Sequence, residues 1–194
     1  MTIYDQIHAA CQPYWQVRAN EIHIPGADAF AQQLLAQHPT ADPAIVLPAI
    51  LLHDNGYAHV PEALLFQGLA DAPIGFNPDI TRLHEIEGVK IARAILTALN
   101  FDAGKTEMIC TIIDGHDSRL EALSLEDALV KDADKLWRFS AIGVQTSSSW
   151  MSMAPMSFLD YCLPKINPWF FTDIAKTIAR QVAEETQLKL TVEQ

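Results

Sequence analysis

Apolar residues recur at intervals of three and four along almost the whole chain, and nowhere do they alternate as on a half-buried strand. That periodicity confines the fold to helices packed on helices, since each helix has an apolar stripe that only other helices are there to cover. The expected fold is therefore all-α. In 27–37, ADAFAQQLLAQ, residues Ala29, Phe30, Leu34 and Leu35 fall at helical spacing. In 40–54, TADPAIVLPAILLHD, Asp42 reads as an N-cap and Pro43 as the first helical residue. This short helix is apolar nearly all round, so it belongs at the centre of the fold. Pro48 should kink it or remove one of its hydrogen bonds, and Asn55-Gly56 should end it, leaving His53 and Asp54 in the last turn.

Residues 67–78, QGLADAPIGFNP, read as a loop. Asn77-Pro78 then opens a long helix with Leu83, Ile86, Val89, Ala92 and Leu96 on its packed face. Further helices are expected over 105–116 and 125–144, and Asn167-Pro168 should cap a last one running to about Leu188. The segment 147–162, SSSWMSMAPMSFLDYC, is the least regular, suited to a flap over a pocket or to a packed surface loop. No repeat or low-complexity tract interrupts the pattern. The expectation is one domain over 1–194, with a motif-bearing core at 18–144 and a C-terminal helical elaboration at 145–194.

Composition narrows the partners. Of 194 residues, 49% are hydrophobic and 19% charged, a globular balance. A net charge of −11 argues against a nucleic acid polymer, which requires a concentrated cationic footprint. It does not exclude a small anionic substrate, because a metal ion and a few arginines can make a pocket locally positive. No apolar run approaches the roughly 20 residues of a membrane span. The start, MTIYDQIHAA, lacks the basic and apolar stretches of a secretory signal. Cys11, Cys110 and Cys162 are odd in number and widely spaced, which speaks against a disulfide framework and for a cytoplasmic setting. Nothing in the composition sets an oligomeric state.

The chemistry centres on ILLHDNG, residues 50–56. An apolar helix ending in adjacent His and Asp puts an imidazole and a carboxylate side by side, partly out of water, where neither is tolerated without a partner. A divalent ion neutralises both, and imidazole with carboxylate suits Mn, Fe, Co, Ni or Zn. Taken alone, the pair is equally consistent with His53 on the helix dipole and Asp54 in an Asx-turn. Other contexts add to it: His23 at a helix start, His84 in RLHEIEG, His116 in IIDGHDSR and Asp134 in VKDADKLW. His8 and His38 read as surface residues, and His59 as either a pocket or a surface-loop residue.

That order resembles the HD-domain superfamily of metal-dependent phosphohydrolases. Its pattern is a His, then an apolar helix ending His-Asp-x-Gly, and finally an Asp in a late helix of the form Val-Lys-x-Ala-Asp-x-Leu. The resemblance covers roughly residues 18–144 and implies an HD-type helical bundle. It also implies that His23, His53, Asp54 and Asp134 are metal ligands. Asp132 and Asp134 point roughly 160° apart on a helix, so they are not expected to share an ion. The helical wheel does not choose between them, whereas the family pattern selects Asp134 and leaves Asp132 beside the ligands or on the surface. His84 and His116 match positions that hold a second ion or the substrate phosphate, so one or two ions are expected. At Asn55-Gly56-Tyr57 the chain departs from the family's more usual Gly-Lys and lacks that lysine.

The implied reaction is hydrolysis of a phosphate ester or anhydride of a nucleotide or other small phosphorylated metabolite, by ion-activated water. Asp54 would be ligand and proton acceptor, with Glu85 and Asp117 as other possible bases. Arg18, Arg82 and Lys135 are candidate substrate contacts, with Arg119 and Arg138 behind them. Two alternatives use the same residues. A di-iron oxygenase of the same fold holds two irons with His, His-Asp, His, His and Asp and oxidises a small polar substrate. A non-catalytic metabolite-binding module would have little need of a full ligand set.

Overall fold

The computed structural model of the protein describes residues 1–69, 72 and 75–192. Its helices, in chain order, are α1 (Ile3–Cys11), α2 (Asn20–Gln37), α3 (Pro43–Leu52), α4 (Pro78–Ala98) and α5 (Ala103–Ile113). They continue as α6 (Leu125–Trp137), α7 (Ala141–Trp150), α8 (Pro155–Cys162), the single turn α9 (Ile166–Trp169) and α10 (Asp173–Val192). No strand occurs among the described residues, and no helix there is long and apolar enough to cross a membrane. No disulfide joins the three cysteines, all of which are buried.

The helix without a polar face sits at the centre, as its composition requires. Ile45, Val46, Ala49, Ile50, Leu51 and Leu52 of α3 are buried, and the helix packs against α1, α2, α5 and α6. Each such aliphatic side chain contributes about 1.5–3 kcal/mol by leaving water. Asp42 caps α3 by accepting from the Ala44 amide, and Asn77 caps α4 by accepting from Asp79. Pro48 lies inside α3, where it has no N–H to give. One continuous apolar cluster runs from Ile7 on α1 to Leu190 on α10. A smaller one, around Tyr57, Val60, Leu65 and Ile80, lies under the connection from α3 to α4.

After α3 the chain does not reverse at Asn55-Gly56. His53 caps the helix, and the backbone continues into a tight helical turn over Asn55–His59 laid against α4. Gly56 permits this approach. A Cβ there would stand 1.8 Å from the His84 carbonyl oxygen.

Several expected elements are corrected. The packed face of α4 carries Thr81, His84, Glu85, Gly88, Ile91, Ala92, Ile95 and Leu96, while Ile86 is exposed. Leu83 and Val89 are only half-buried, because buried polar residues of the site occupy the face that apolar periodicity alone would have assigned to them. The expected helix over 125–144 is two helices. Ser140 caps α7 by accepting from Gly143 and donating to the Trp137 carbonyl, and a Cβ on Gly143 would meet that carbonyl at 1.9 Å. Asn167-Pro168 falls within the single turn α9, and the last helix begins at Asp173, where Thr172 accepts from the Ala175 amide. The segment 147–162, expected as flap or loop, is mostly the end of α7 and all of α8. The loop expected at 67–78 is irregular where described, and residues 70, 71, 73 and 74 lie outside the described residues. Helix α1 corresponds to no expected element.

Candidate metal centre

Five segments deliver polar side chains into the middle of the bundle. His23 comes from the first turn of α2, His53 and Asp54 from the end of α3, and His84 from α4. His116 and Asp117 come from the turn after α5, and Asp134 from α6. His23, His53, Asp54, His84, His116 and Asp134 are all buried, at a depth where such groups persist only when they satisfy one another or an ion.

They form two groups that share Asp54. In the first, His23 Nε2 lies 3.1 Å from His53 Nε2, 3.2 Å from Asp134 Oδ1 and 3.6 Å from Asp54 Oδ2. His53 Nε2 lies 3.7 Å from both of those carboxylate oxygens. In the second, His84 Nε2 and His116 Nε2 are 3.2 Å apart, and Asp54 Oδ1 lies 3.7 and 3.4 Å from them. Asp117 Oδ2 flanks this pair at 3.7 and 3.9 Å. Donors about 2.0–2.2 Å from a common ion stand roughly 3–3.5 Å from one another, so both groups are close to coordinating size.

The histidine tautomers favour the same occupant. His53 Nδ1 donates to the Ile50 carbonyl at 2.7 Å, and His116 Nδ1 to the Ile113 carbonyl at 3.0 Å. In the neutral ring, the form that binds an ion, each Nε2 is thereby left with a lone pair directed at a second imidazole. The Nδ1 atoms of His23 and His84 are buried without a hydrogen-bond partner. A shared proton relieves one lone pair in each couple, whereas a divalent ion also neutralises the carboxylates. The donor set fits such ions, and His23, His53 and Asp54, like Asp54, His84 and His116, stand close enough together to hold one.

Charge in the cluster is strongly interdependent. Burial pushes the Asp54 and Asp134 carboxyls up, but the surrounding imidazoles outweigh it and hold both well below the usual range. Burial lowers His84 to about 4, with His116 pushing the same way. Burial opposes protonation of His116 too, yet Asp54, Asp117 and Glu85 raise it to about 9.

Neighbouring side chains fix the frame. Asn20 Nδ2 donates to the Asp54 carbonyl, and Trp15 Nε1 to Asn55 Oδ1. Buried Glu85 accepts from the Asp117 and Ser118 amides and the Ser118 hydroxyl, holding the turn that carries His116. Tyr57 stacks on His84 with ring centroids 3.9 Å apart. The Arg18 guanidinium lies 3.8 Å above the Tyr57 ring, so a cation stands beside the position where the family resemblance leads one to expect lysine. Arg18 and Ala19 are successive left-handed residues, at about 1–2 kcal/mol each for an L-residue.

Other candidates separate. Arg18 and Arg138 line a crevice over the cluster together with Trp137 and Trp150. Arg82 is paired with Glu85 and Asp114, and Arg119 with Asp127. Lys135 faces the adjoining cavity. Asp132 is neither a surface residue nor beside the cluster. It is fully buried and accepts from the Phe171 amide and from the Thr172 amide and hydroxyl, fastening the start of α10 to α6. His59 is an exposed partner of Glu87. His8 and His38 are half-buried rather than fully on the surface, His8 edge-on to Trp15 and His38 on the Leu34 carbonyl. Sequence reasoning did not single out Tyr57, Trp137 or Trp150, and it left Glu85 and Asp117 unranked. The one available signal was that His116-Asp117 repeats the dipeptide His53-Asp54.

The family model for the HD domain matches residues 28–138, more than half of the chain. That span includes His53, Asp54, His84, His116 and Asp134, and His23 lies just before it. The fold is similar to the crystal structure of a predicted HD superfamily hydrolase from an uncultured Thermotogales bacterium. The two share 19% identity with a TM-score of 0.62, over 98% of this chain and 92% of that one. No curated protein matches the sequence.

Proposed function

The chain belongs to the HD-domain family, whose characteristic chemistry is metal-dependent hydrolysis, and on that footing we propose that it hydrolyses phosphate esters or anhydrides of small metabolites such as nucleotides. The observation that carries the reading is the position of Asp54, whose two oxygens are divided between two couples of imidazoles. Two divalent transition ions (Mn, Fe, Co, Ni or Zn) fit that arrangement. One would be held by His23, His53, Asp54 and Asp134, the other by Asp54, His84 and His116. When bound, such ions polarise a phosphoryl oxygen and bring the pKa of water toward neutrality.

The chain's own side chains do the rest. Arg18 and Arg138, at the rim of the crevice, hold the phosphoryl oxygens, for which the planar guanidinium is suited. Asp54, the acceptor expected from sequence, has each oxygen turned toward an imidazole couple. Asp117 is better placed to take the proton of the attacking water, since its side chain is 26% exposed against 10% for Asp54. The water oxygen bonds to phosphorus, its proton passes to Asp117, and the bond from phosphorus to the leaving oxygen breaks, that oxygen being protonated from solvent. Trp137 and Trp150 limit the water that can enter.

The deciding experiment screens nucleoside mono-, di- and triphosphates and simple phosphomonoesters and diesters with Mn, Co, Ni and Mg. It repeats the best case without oxygen and with Zn. Phosphate release that persists anaerobically, stops on chelation and is absent from His53→Ala is the expected result. The di-iron oxygenase alternative uses the same six residues. Silence across the esters, with a two-iron protein that consumes oxygen on a polar organic substrate, would overturn the hydrolase.

A further inference from the structure

The crevice over the cluster has about 10 Å³ of free volume, no more than one water occupies. A substrate's leaving group therefore has to lie elsewhere. A second cavity of about 550 Å³ adjoins the crevice, and Asp117 and Arg138 belong to the walls of both. That volume is in the range of small-molecule sites, about 300–1,000 Å³.

Its walls divide by chemistry. Five cations line it, Arg138 at the border with the crevice, and three of the five are committed. Arg82 pairs with Glu85 and Asp114, Arg119 pairs with Asp127, and the Lys131 ammonium donates to three carbonyls. Lys135 and Arg138 have no ion pair and no side-chain hydrogen bond among the described residues, although both are half-buried. Asp117 acts on both at longer range, and Asp134 on Arg138, but neither carboxylate takes up their N–H donors, which are free for a ligand anion. The remaining wall is apolar, with Leu69, Phe76, Trp169 and Phe171. The hydroxyls on it are already engaged, Thr81 with the Gly68 carbonyl and Ser118 with Glu85. Among the described residues, the indole N–H of Trp169 is the one side-chain donor on that apolar wall without a hydrogen-bond partner, too little to pair the several hydroxyls of a sugar or the edge of a base.

We propose that this cavity seats the leaving group of the substrate, and that the substrate is a phosphomonoester of an apolar, ring-bearing alcohol rather than a sugar phosphate or a base-specific nucleotide. Lys135 and Arg138 draw the phosphate to the mouth, and the apolar wall encloses the ring. Burying several hydroxyls or a base edge against that wall leaves most of them unpaired, and each unpaired group lowers affinity. The inference rests on the hydrolase reading for its phosphate, and the test separates the two.

The test uses phosphonates, which bind without being cleaved. Calorimetry on the Mn-loaded protein compares 1-naphthylphosphonate with methylphosphonate. The naphthyl compound should bind at least tenfold more tightly. Phe76→Ser and Phe171→Ser replace partly exposed side chains and should fold normally, with melting temperatures within a few degrees of the parent. Each should shrink the naphthyl advantage severalfold and leave methylphosphonate unchanged. Lys135→Gln should weaken both ligands. Equal affinity for the two phosphonates, or a preference untouched by both serine variants, overturns the assignment. In a parallel arm, 1-naphthyl phosphate should exceed glucose 6-phosphate and AMP in kcat/KM by tenfold or more. If neither ester nor nucleotide is cleaved while the phosphonate preference holds, the hydrolase reading falls and the cavity stands.

Discussion

At the scale of single residues, two aspartates two positions apart on α6 have opposite tasks. Asp134 Oδ1 faces His23 and His53, while Asp132 holds the start of α10 through three hydrogen bonds. Asp134→Ala should abolish tight binding of one ion with a modest change in stability. Asp132→Ala should leave metal content intact but strand the donors of residues 171 and 172, at about 1–3 kcal/mol. At about 2–4 °C per kcal/mol for a chain of this size, thermal melts should fall by roughly 3–10 °C. Elemental analysis and melting on both variants decide it, and a metal-free Asp132→Ala would reverse the assignment. Asp117→Asn tests the proton acceptor. Phosphate release should drop about 10²–10⁴-fold with metal stoichiometry unchanged, whereas a lost ion at an unchanged rate per loaded site would make Asp117 a ligand instead. The His53-Asp54 pair alone was equally consistent with helix capping, and it was the family resemblance that joined His23, His84, His116 and Asp134 to it. The sharing of Asp54 and the place of Asp117 were not legible in the sequence, because both depend on how α4 and the turn after α5 approach α3.

At the scale of elements, legibility followed the range of the interactions that end a helix. The starts of α3 and α4 were readable to the residue, since Asp42-Pro43 and Asn77-Pro78 cap through their own neighbours. The start of α10 was not, because Thr172 is set by Asp132, 40 residues earlier. The break between α6 and α7 was missed although its cap is local, because Ser140 lies within an unbroken helical pattern. The turn after α5 depends similarly on a distant group. The Lys131 ammonium of α6 is buried and donates to the carbonyls of Gly115, His116 and Arg119 at 2.6, 3.2 and 2.7 Å. Lys131→Met keeps much of the side-chain volume and removes the donors. It should cost about 1–3 kcal/mol from the stranded carbonyls. It should also weaken the ion beside His116 by roughly 10–100-fold, the usual effect of removing a group that orients a ligand. Metal titration by calorimetry should then show one strong event and one weakened. Two unaltered events would mean that Glu85, acting on the same turn, suffices alone.

Across the whole molecule, the cluster gathers side chains from α2, α3, α4, the turn after α5 and α6, so occupancy ties together segments that are otherwise joined by apolar packing and a few hydrogen bonds, those of Asn20, Glu85 and Lys131 among them. The apolar cluster from Ile7 to Leu190 is complete without any ion. The metal-free protein should therefore stay folded, unlike small domains whose core is too slight to stand alone. What it loses is the relief of two imidazole couples and of the buried Asp54 and Asp134. An ion that binds the native state alone adds stability as RT ln(1 + [L]/Kd), about 2.7 kcal/mol at a hundredfold excess over Kd and about 4.1 at a thousandfold. With a melting temperature that moves about 2–4 °C per kcal/mol, adding Mn to the chelated protein should raise the midpoint by roughly 5–15 °C. Each tenfold step in free Mn above Kd should add a roughly constant increment per site. The far-ultraviolet circular dichroism of the chelated protein should match that of the loaded one, since the helices are not made by the metal. The same titration on His53→Ala, which lacks a ligand of the first group, should retain only the increment of the second. A midpoint indifferent to millimolar Mn would show that the two groups satisfy themselves with protons. Loss of helical signal on chelation would show that the apolar cluster does not hold the bundle without them.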